Sequence, residues 1–337
     1  MLDKRRSFRK TIIGAFISIA LLAAAGIVYM NRQYAIDQIT VWGFTPSANV
    51  DSLKQRISFT PKGTFYFYAS KPQVSEASIF NKGCPRQEVG NPILGCYTAE
   101  RIYVYDVTNT QLDGIEEVTA AHETLHAIWE RTDSNEQERV GGLLKAEYQK
   151  RSTNDPSLVE RMQYYQRTEP GEFVNELHSI LGTEDSSLSP ELETYYGQYF
   201  SQRQKVVDLH EKYNSVFNNL KKQSDALYAE LTALSKNINA RTIQYNADVK
   251  QLSADIDAFN TKAGSSDFAS ASQFNVQRTT LVARTQQVNT DRISVSNLID
   301  IYNTKLGQYQ ELSTQIEALN KSIDSFNQLQ VAPTVNK

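Results

Sequence analysis

The sequence contains little cysteine, little histidine and almost no net charge. Its 337 residues include two cysteines and four histidines, and 35 basic residues against 38 acidic ones leave a net charge of −3. A chain without an overall positive field has no general attraction for nucleic acid. Two cysteines without other soft ligands nearby also make a poor metal site. The composition therefore indicates neither a nucleic-acid partner nor a metal centre made of thiolates.

The two cysteines, Cys84 and Cys96, lie in a short stretch that is rich in glycine, proline and asparagine. We predict that they form a disulfide, which would close a small loop and would suit an oxidising compartment. Spacing alone does not reveal whether the two Cα atoms come within bonding range, so two unpaired thiols are the alternative.

Charged residues are absent from Thr11 to Met30, directly after ten residues that contain five basic side chains. About 20 apolar and small residues suffice to cross a bilayer as a helix, and the positive-inside rule keeps the basic end in the cytoplasm. The sequence therefore predicts a cytoplasmic tail at 1–10, a transmembrane signal anchor at 11–30, and a single-pass protein of the cell membrane with most of its chain outside the cytoplasm. A cleaved signal peptide is the alternative, because Ala23 to Ala25 are small residues near a possible cleavage site.

The next region, residues 34–188, is predicted to be an α+β domain. Three segments are rich in β-branched and aromatic residues between turn residues and are predicted to be strands: Gln38–Phe44, Gly63–Ser70 and Arg101–Val107. Asp113 and Glu116 resemble a capping box, so a helix is expected from there to about Arg131. Further helical patterns follow as far as Leu181.

Proline is absent between Pro190 and Pro333. Apolar residues in this region recur at spacings of three, four and seven, and from Phe274 to Ile323 at strict sevens, which is typical of a coiled coil. A segment rich in Gly, Ser and Ala, Ala263–Ser272, interrupts the pattern. We predict an antiparallel coiled-coil hairpin over 190–329 and a disordered tail at 330–337. Association between chains through the same seams, or one continuous rod, are the alternatives.

One motif carries chemistry. Residues 122–126 read His-Glu-Thr-Leu-His, and positions four apart on a helix share a face, so His122 and His126 can reach one metal ion. Imidazole nitrogens are good zinc ligands, and Glu123 can take a proton from a water that the metal activates. The uncharged residues around the motif fit a buried active-site helix. Two histidines on a purely structural helix face are the alternative.

This arrangement resembles the H-E-x-x-H signature of zincin metallopeptidases. Trp129 stands where the metzincin branch has glycine, so the gluzincin branch is the better comparison. Glu172 to Glu176 read Glu-Phe-Val-Asn-Glu, similar to the later helix of small gluzincins and of anthrax-lethal-factor-like catalytic domains. By this resemblance Glu172 is the third zinc ligand and Glu176 supports a histidine ring from the second shell of the site. Glu176 and His178 are the rival ligands.

The resemblance also assigns two supporting roles. Tyr165 is similar to the tyrosine that donates to the oxyanion on the scissile carbonyl, although it is also placed as an ordinary core residue. The strand at 101–107 corresponds to the edge strand that pairs with an extended substrate, or it is an ordinary central strand. His178 is either a structural histidine or a donor on the substrate side.

The sequence therefore predicts a membrane-anchored, zincin-like metallopeptidase that hydrolyses peptide bonds outside the cytoplasm. Zn²⁺ is its cofactor, and a peptide or protein is its substrate. The alternative is a non-enzymatic surface or cell-envelope protein that binds a partner, or itself, through the coiled coil. A metal-bound domain without turnover is a third interpretation, which the presence of Glu123 disfavours.

Overall fold

The structure, a computed structural model, describes residues 31–85 and 92–325 together with the single positions 18, 21, 25 and 26. The chain divides into a first unit, which ends at Val216 and resumes at Asn320, and a second unit, Phe217–Leu319. The described elements are the strands β1 (Gln73–Ser75), β2 (Gly95–Thr98) and β3 (Arg101–Tyr105) and the helices α1 (Arg32–Gly43), α2 (Ala48–Ile57), α3 (Pro61–Ala69), α4 (Ala77–Gly83), α5 (Ile115–Arg131), α6 (Ser134–Ser152), α7 (Pro156–Thr168), α8 (Phe173–Glu184), α9 (Pro190–Tyr196), α10 (Gln204–Gly264) and α11 (Ala271–Ile323).

The predicted α+β zincin-like fold class is wrong, because the described residues are mainly helical and contain only a small three-stranded sheet. Two of the predicted strands, Gln38–Phe44 and Gly63–Ser70, fall in α1 and α3. Thr60 caps α3 by accepting a hydrogen bond from the N–H of Gly63, and Pro61 occupies its first position. Strand preference depends strongly on context, and here the start signals of the helix outweigh the aromatic residues that follow.

The third predicted strand is present as β3, in the middle of the sheet. It pairs in parallel with β1 and antiparallel with β2, so the strand order is β1-β3-β2. Both hydrogen-bonding edges of β3 are therefore used. The interpretation of 101–107 as an edge strand for substrate is wrong, and the alternative, a central strand, is confirmed. The strand that borders α5 from the edge of the sheet is β2.

The core of the first unit forms where α5 packs against α8. Leu125 and Ile128 on α5, and Leu177 and Ile180 on α8, are at most 2 % exposed. Burial of a side chain of this size contributes about 1.5–3 kcal/mol. These contacts hold the two helices in register and thereby fix the polar residues that both helices carry on one side.

The His-Glu-Thr-Leu-His motif lies on α5, which begins later than the capping-box pattern predicts. Gly114 precedes the first turn with φ 105°, a left-handed conformation that glycine adopts without strain. Asp113 caps nothing there and instead forms ion pairs with Arg56 and Lys212 at 2.8 and 2.6 Å. Glu116 accepts a hydrogen bond from the N–H of Val107 at 2.8 Å.

In the second unit, α10 and α11 pack together as antiparallel helices of one chain. Glu230 pairs with Lys305 at 2.5 Å, and Asp255 pairs with Arg284, so partner numbers fall along one helix as they rise along the other. Apolar residues between the helices are buried: Leu231, Leu252, Leu312 and Leu319. The residues that connect the two helices lie within the predicted breaker segment.

The long helix does not start at Pro190 as predicted. Ser189 caps a separate short helix, α9, and its Tyr195 and Tyr196 are buried in the core of the first unit. Arg203, which is 6 % exposed, lies in the turn before α10 and pairs with Glu193. The predicted tail at 330–337 lies outside the described residues.

Among the residues that the structure describes, no helix combines the length and the apolar character needed to cross a membrane. This finding contradicts the predicted single-pass membrane localisation. The predicted span at 11–30 lies outside the described residues except for its four single positions, and the predicted tail at 1–10 lies outside them entirely.

Candidate metal centre

The centre is built on one turn of α5. Because residues four apart share a helix face, the rings of His122 and His126 point to the same side. Their Nε2 atoms are 3.1 Å apart. The side chains are 18 % and 11 % exposed, so the pair is sheltered but remains within reach of solvent.

The third member of the group comes from α8. Glu176 Oε1 lies 3.5 Å from His126 Nε2, and Glu176 Oε2 lies 3.7 Å from His122 Nε2. One ligand atom from each residue falls within 4.8 Å of the other two. Burial by itself would raise the pKa of Glu176, but the facing imidazoles outweigh it and the pKa is lowered. Glu176 is therefore an anionic carboxylate at neutral pH.

The other ring nitrogen of His126, Nδ1, contacts a side chain of α8. His126 Nδ1 lies 2.9 Å from Asn175 Oδ1, and Asn175 Nδ2 donates to Glu172 Oε2 at 2.9 Å. Since the amide nitrogen of Asn175 is used on Glu172, its oxygen faces His126, so we assign the proton of that ring to Nδ1. The lone pair of His126 is then on Nε2 and points at the other two residues, which is the tautomer that a metal ligand needs.

The geometry fits a metal ion. Glu176 Oε2 is buried and has no hydrogen-bond partner among the described residues, an arrangement that is costly unless a cation completes it. A tetrahedral ion about 2.1 Å from each ligand would hold the ligand atoms about 3.4 Å apart, close to the spacings found here. His122, His126 and Glu176 could therefore hold a metal ion.

The two glutamates take the opposite positions to those that the resemblance implies. Glu176 joins the histidines, whereas Glu172, the residue just before α8 begins, accepts a hydrogen bond from Asn175, which in turn contacts His126. The two residues lie four apart and would share a face of any helix that included both, so the sequence pattern fits either one. The start of α8 at Phe173 decides between them, because it carries Glu176 one turn further in, next to α5.

No protein-family model, curated protein or solved structure matches this chain. The chemistry of the centre is therefore inferred from the residues that form it.

Glu123 is buried against β2, a strand that the sequence analysis did not predict. The N–H of Tyr97 faces its carboxylate and stabilises the charged form, and a Cβ at Gly95 would lie only 3.0 Å from Glu123 Cγ. A glycine inside a strand is a signal of such a close approach. Burial raises the pKa of Glu123 to about 7, with the charge of His126 opposing it. A carboxylate with this pKa can accept and return a proton at neutral pH.

Tyr165 lies on α7 at the border of the core. Burial raises the pKa of its phenol, and the carboxylates of Glu176 and Glu123 raise it further. The phenol is therefore a protonated hydrogen-bond donor, close enough to both carboxylates to be influenced by their charge.

His178 is a core histidine and stands apart from the metal group. Its Nε2 lies 3.1 Å from the hydroxyl of Tyr195, and its ring stacks on Tyr196 and packs against Trp129. Burial lowers the pKa of His178 to about 3, so the ring is neutral. Its position fits a structural histidine, which is one of the two interpretations that the sequence allows.

The predicted disulfide between Cys84 and Cys96 is confirmed, with the two Cα atoms 6.0 Å apart. Cys84 follows α4 and is buried, and Cys96 lies on β2 between Gly95 and Tyr97. The bond therefore ties the strand that contacts Glu123 to a neighbouring helix.

Proposed function

We propose that this chain is a zinc-dependent peptidase in which Glu123 is the catalytic base. The observation that supports it best is the convergence of two imidazole nitrogens and the Glu176 carboxylate beside this buried acid. An H-E-x-x-H turn completed by a later glutamate is also the ligand pattern of the gluzincin peptidases that the sequence resembles.

The donor set favours zinc over the common hard cations. Two neutral imidazoles and one carboxylate suit zinc, whereas magnesium and calcium take oxygen ligands. When bound, zinc would supply a Lewis acid that polarises the scissile carbonyl and activates a water molecule.

Side chains of the protein carry out the proton transfers, stabilise the developing negative charge and orient a ligand ring. Glu123 takes a proton from the attacking water and passes it to the leaving amine, for which a pKa near neutrality is well suited. Tyr165 donates its phenolic hydrogen towards the oxygen that becomes negative on the scissile carbonyl. Asn175 keeps His126 in the required tautomer throughout.

The outer edge of β2 provides a surface for an extended peptide. Tyr105 N–H donates to Leu94 O, and bonding alternates along an antiparallel pair. The main-chain groups of Gly95 and Tyr97 therefore point away from β3. The N–H of Tyr97 faces Glu123, which leaves the N–H and C=O of Gly95 and the C=O of Tyr97 for a peptide. A peptide paired there would place its backbone beside the centre, and main-chain pairing recognises peptides with little dependence on sequence.

A binding role through the hairpin is the second candidate. Apolar side chains stand out from its helices, with Ile243 72 % and Tyr228 64 % exposed, and such residues suit a partner surface. This role would depend on the second unit and would be insensitive to the loss of Glu123.

The test combines metal analysis with peptide hydrolysis on the full chain. We expect one zinc per chain, cleavage of a mixed peptide library, and loss of cleavage with retained zinc in Glu123→Gln, whose amide cannot accept the proton. Glu138→Gln, an exposed glutamate on α6, is the matched control. Absence of zinc under zinc-replete conditions, or full activity of Glu123→Gln, would refute the proposal.

A further inference from the structure

Arg131, the last residue of α5, is charged and yet buried. Its side chain is 5 % exposed and that of its partner Asp37, on α1, is 3 % exposed. Arg131 Nε and Nη2 donate to the two carboxylate oxygens of Asp37 at 2.9 and 3.0 Å. Arg131 Nη1 donates to the hydroxyl of Tyr97 at 2.7 Å and to Ala127 O at 3.0 Å. The fork of the guanidinium is therefore fixed on three sides.

Tyr97 connects this ion pair to the candidate base. Its phenol is held by Arg131, while its main-chain N–H faces the Glu123 carboxylate and lowers the pKa of that group. Two residues earlier on β2, a Cβ at Gly95 would lie only 3.1 Å from Glu123 Oε1. Glu123 and Arg131 are separated by about 12 Å along α5 at 1.5 Å per residue. The phenol contact thus attaches β2 to α5 close to the strand residues that lie against Glu123, and it limits how far this part of the strand can move from Glu123.

Stability alone does not explain such an arrangement. Removing two charges from water costs several kcal/mol per ion, and apolar residues of similar size often serve a core equally well or better. A bidentate arginine–carboxylate pair differs from apolar packing in that it fixes direction as well as distance. The direction fixed here is that of the Tyr97 phenol.

We propose that Arg131 and Asp37 are positioning residues for Glu123, acting through Tyr97. The inference rests on the proposed function of Glu123 as base. Because β2 is an edge strand, β3 is its only hydrogen-bonded neighbour in the described sheet, and the contact of the Tyr97 phenol with Arg131 attaches it to α5 as well. A displacement of about 1 Å at a reacting group can cost up to about 100-fold in rate.

The first test is Tyr97→Phe in the full chain, which keeps the ring and the main-chain N–H but removes the contact to Arg131. We expect kcat to fall about 10-fold, with KM and zinc content nearly unchanged, since the change affects the position of the base and not the ligands. Asp37→Asn should reproduce the effect. Tyr68→Phe is the matched control, because it removes a similar phenol contact, to Asp51, elsewhere in the first unit.

The second test needs no activity. Hydrogen exchange at the amide of residue 97 should accelerate at least about 10-fold in Tyr97→Phe and Asp37→Asn, with exchange in α8 unchanged, whereas loss of fold stability would accelerate exchange throughout the first unit. Unchanged exchange at residue 97 overturns the proposal, and so does an unchanged kcat in an active enzyme. If the wild-type chain binds zinc but cleaves no peptide, the proposed function fails, and the exchange result alone decides whether this ion pair positions Glu123.

Discussion

His126 Nδ1 lies 2.9 Å from Asn175 Oδ1, and this contact joins α5 to α8 directly behind the candidate metal centre. It orients the ring so that the other nitrogen points at His122 and Glu176. Partners of this kind usually change metal affinity by 10–100-fold when removed, whereas loss of a ligand itself is more severe.

Glu176→Ala should therefore abolish tight zinc binding, because it removes one of three ligand residues. Glu172→Ala should weaken zinc binding by only about 10-fold, since it frees Asn175 without touching a ligand. Competition with a chromogenic chelator measures both affinities, and Glu138→Ala, an exposed glutamate on α6, is the control. Equal losses for the two variants, or a larger loss for Glu172→Ala, would contradict the ligand assignment.

The motif predicts two ligands and the base because its spacing and the helix period are strictly local properties. The third ligand is not local. Which glutamate of Glu172 and Glu176 faces the histidines depends on where α8 starts and on how it packs against α5, and neither is encoded in the four-residue spacing. For the same reason the sequence does not reveal that β2 lies against Glu123, because that approach depends on the main chain at Gly95 and Tyr97 and not on their side chains.

Glu116→Gln should stabilise the protein, and only at higher pH. Burial raises the pKa of Glu116 to about 7, above the roughly 4.3 of an unfolded chain. The folded state therefore holds the proton more tightly, and stability declines as pH rises from about 4.3 to 7. The amide keeps an acceptor for the N–H of Val107 but cannot ionise, so the variant should gain about 1–3 kcal/mol above pH 7 and almost nothing at pH 4.

Urea denaturation of both chains at pH 4, 6 and 8 measures this difference. Asp106 and Glu117 raise the pKa of Glu116 further, while the N–H of Val107 and the charge of Arg56 lower it. A gain that is the same at all three pH values would show that ionisation of Glu116 does not penalise the fold.

The wrong prediction of a strand at Gln38–Phe44 also has a physical cause. Residues 38–44 include Ile39, Thr40 and Val41, which favour strands, but α1 is held in place by the buried contact of Asp37 with Arg131, 94 positions away in the chain. Composition reports local preference, and contacts between distant residues override it.

Replacing both Cys84 and Cys96 by serine should lower the free energy of unfolding by about 2–3 kcal/mol, as expected for a bond that closes a loop of about 12 residues. The proposed zinc ligands lie on α5 and α8, so the folded variant should still bind zinc. Chemical denaturation gives the stability, and a reductant should reproduce the loss in the wild-type chain while leaving the double variant unaffected. A reductant effect of equal size in the double variant would show that the disulfide is not its target.

The hairpin offers the last prediction. Leu231 on α10 is 7 % exposed and lies between the two helices, where an aspartate would bring an unpaired charge into an apolar seam. Leu231→Asp should destabilise the hairpin by about 3 kcal/mol or more, seen as loss of helical circular dichroism at a lower temperature. Ala229→Asp, exposed on the same helix, is the matched control and should have almost no effect. Zinc binding should persist in both variants, because the proposed ligands are in the first unit, which has its own core. Loss of zinc in Leu231→Asp at a temperature where the first unit is folded would show that the centre depends on the hairpin.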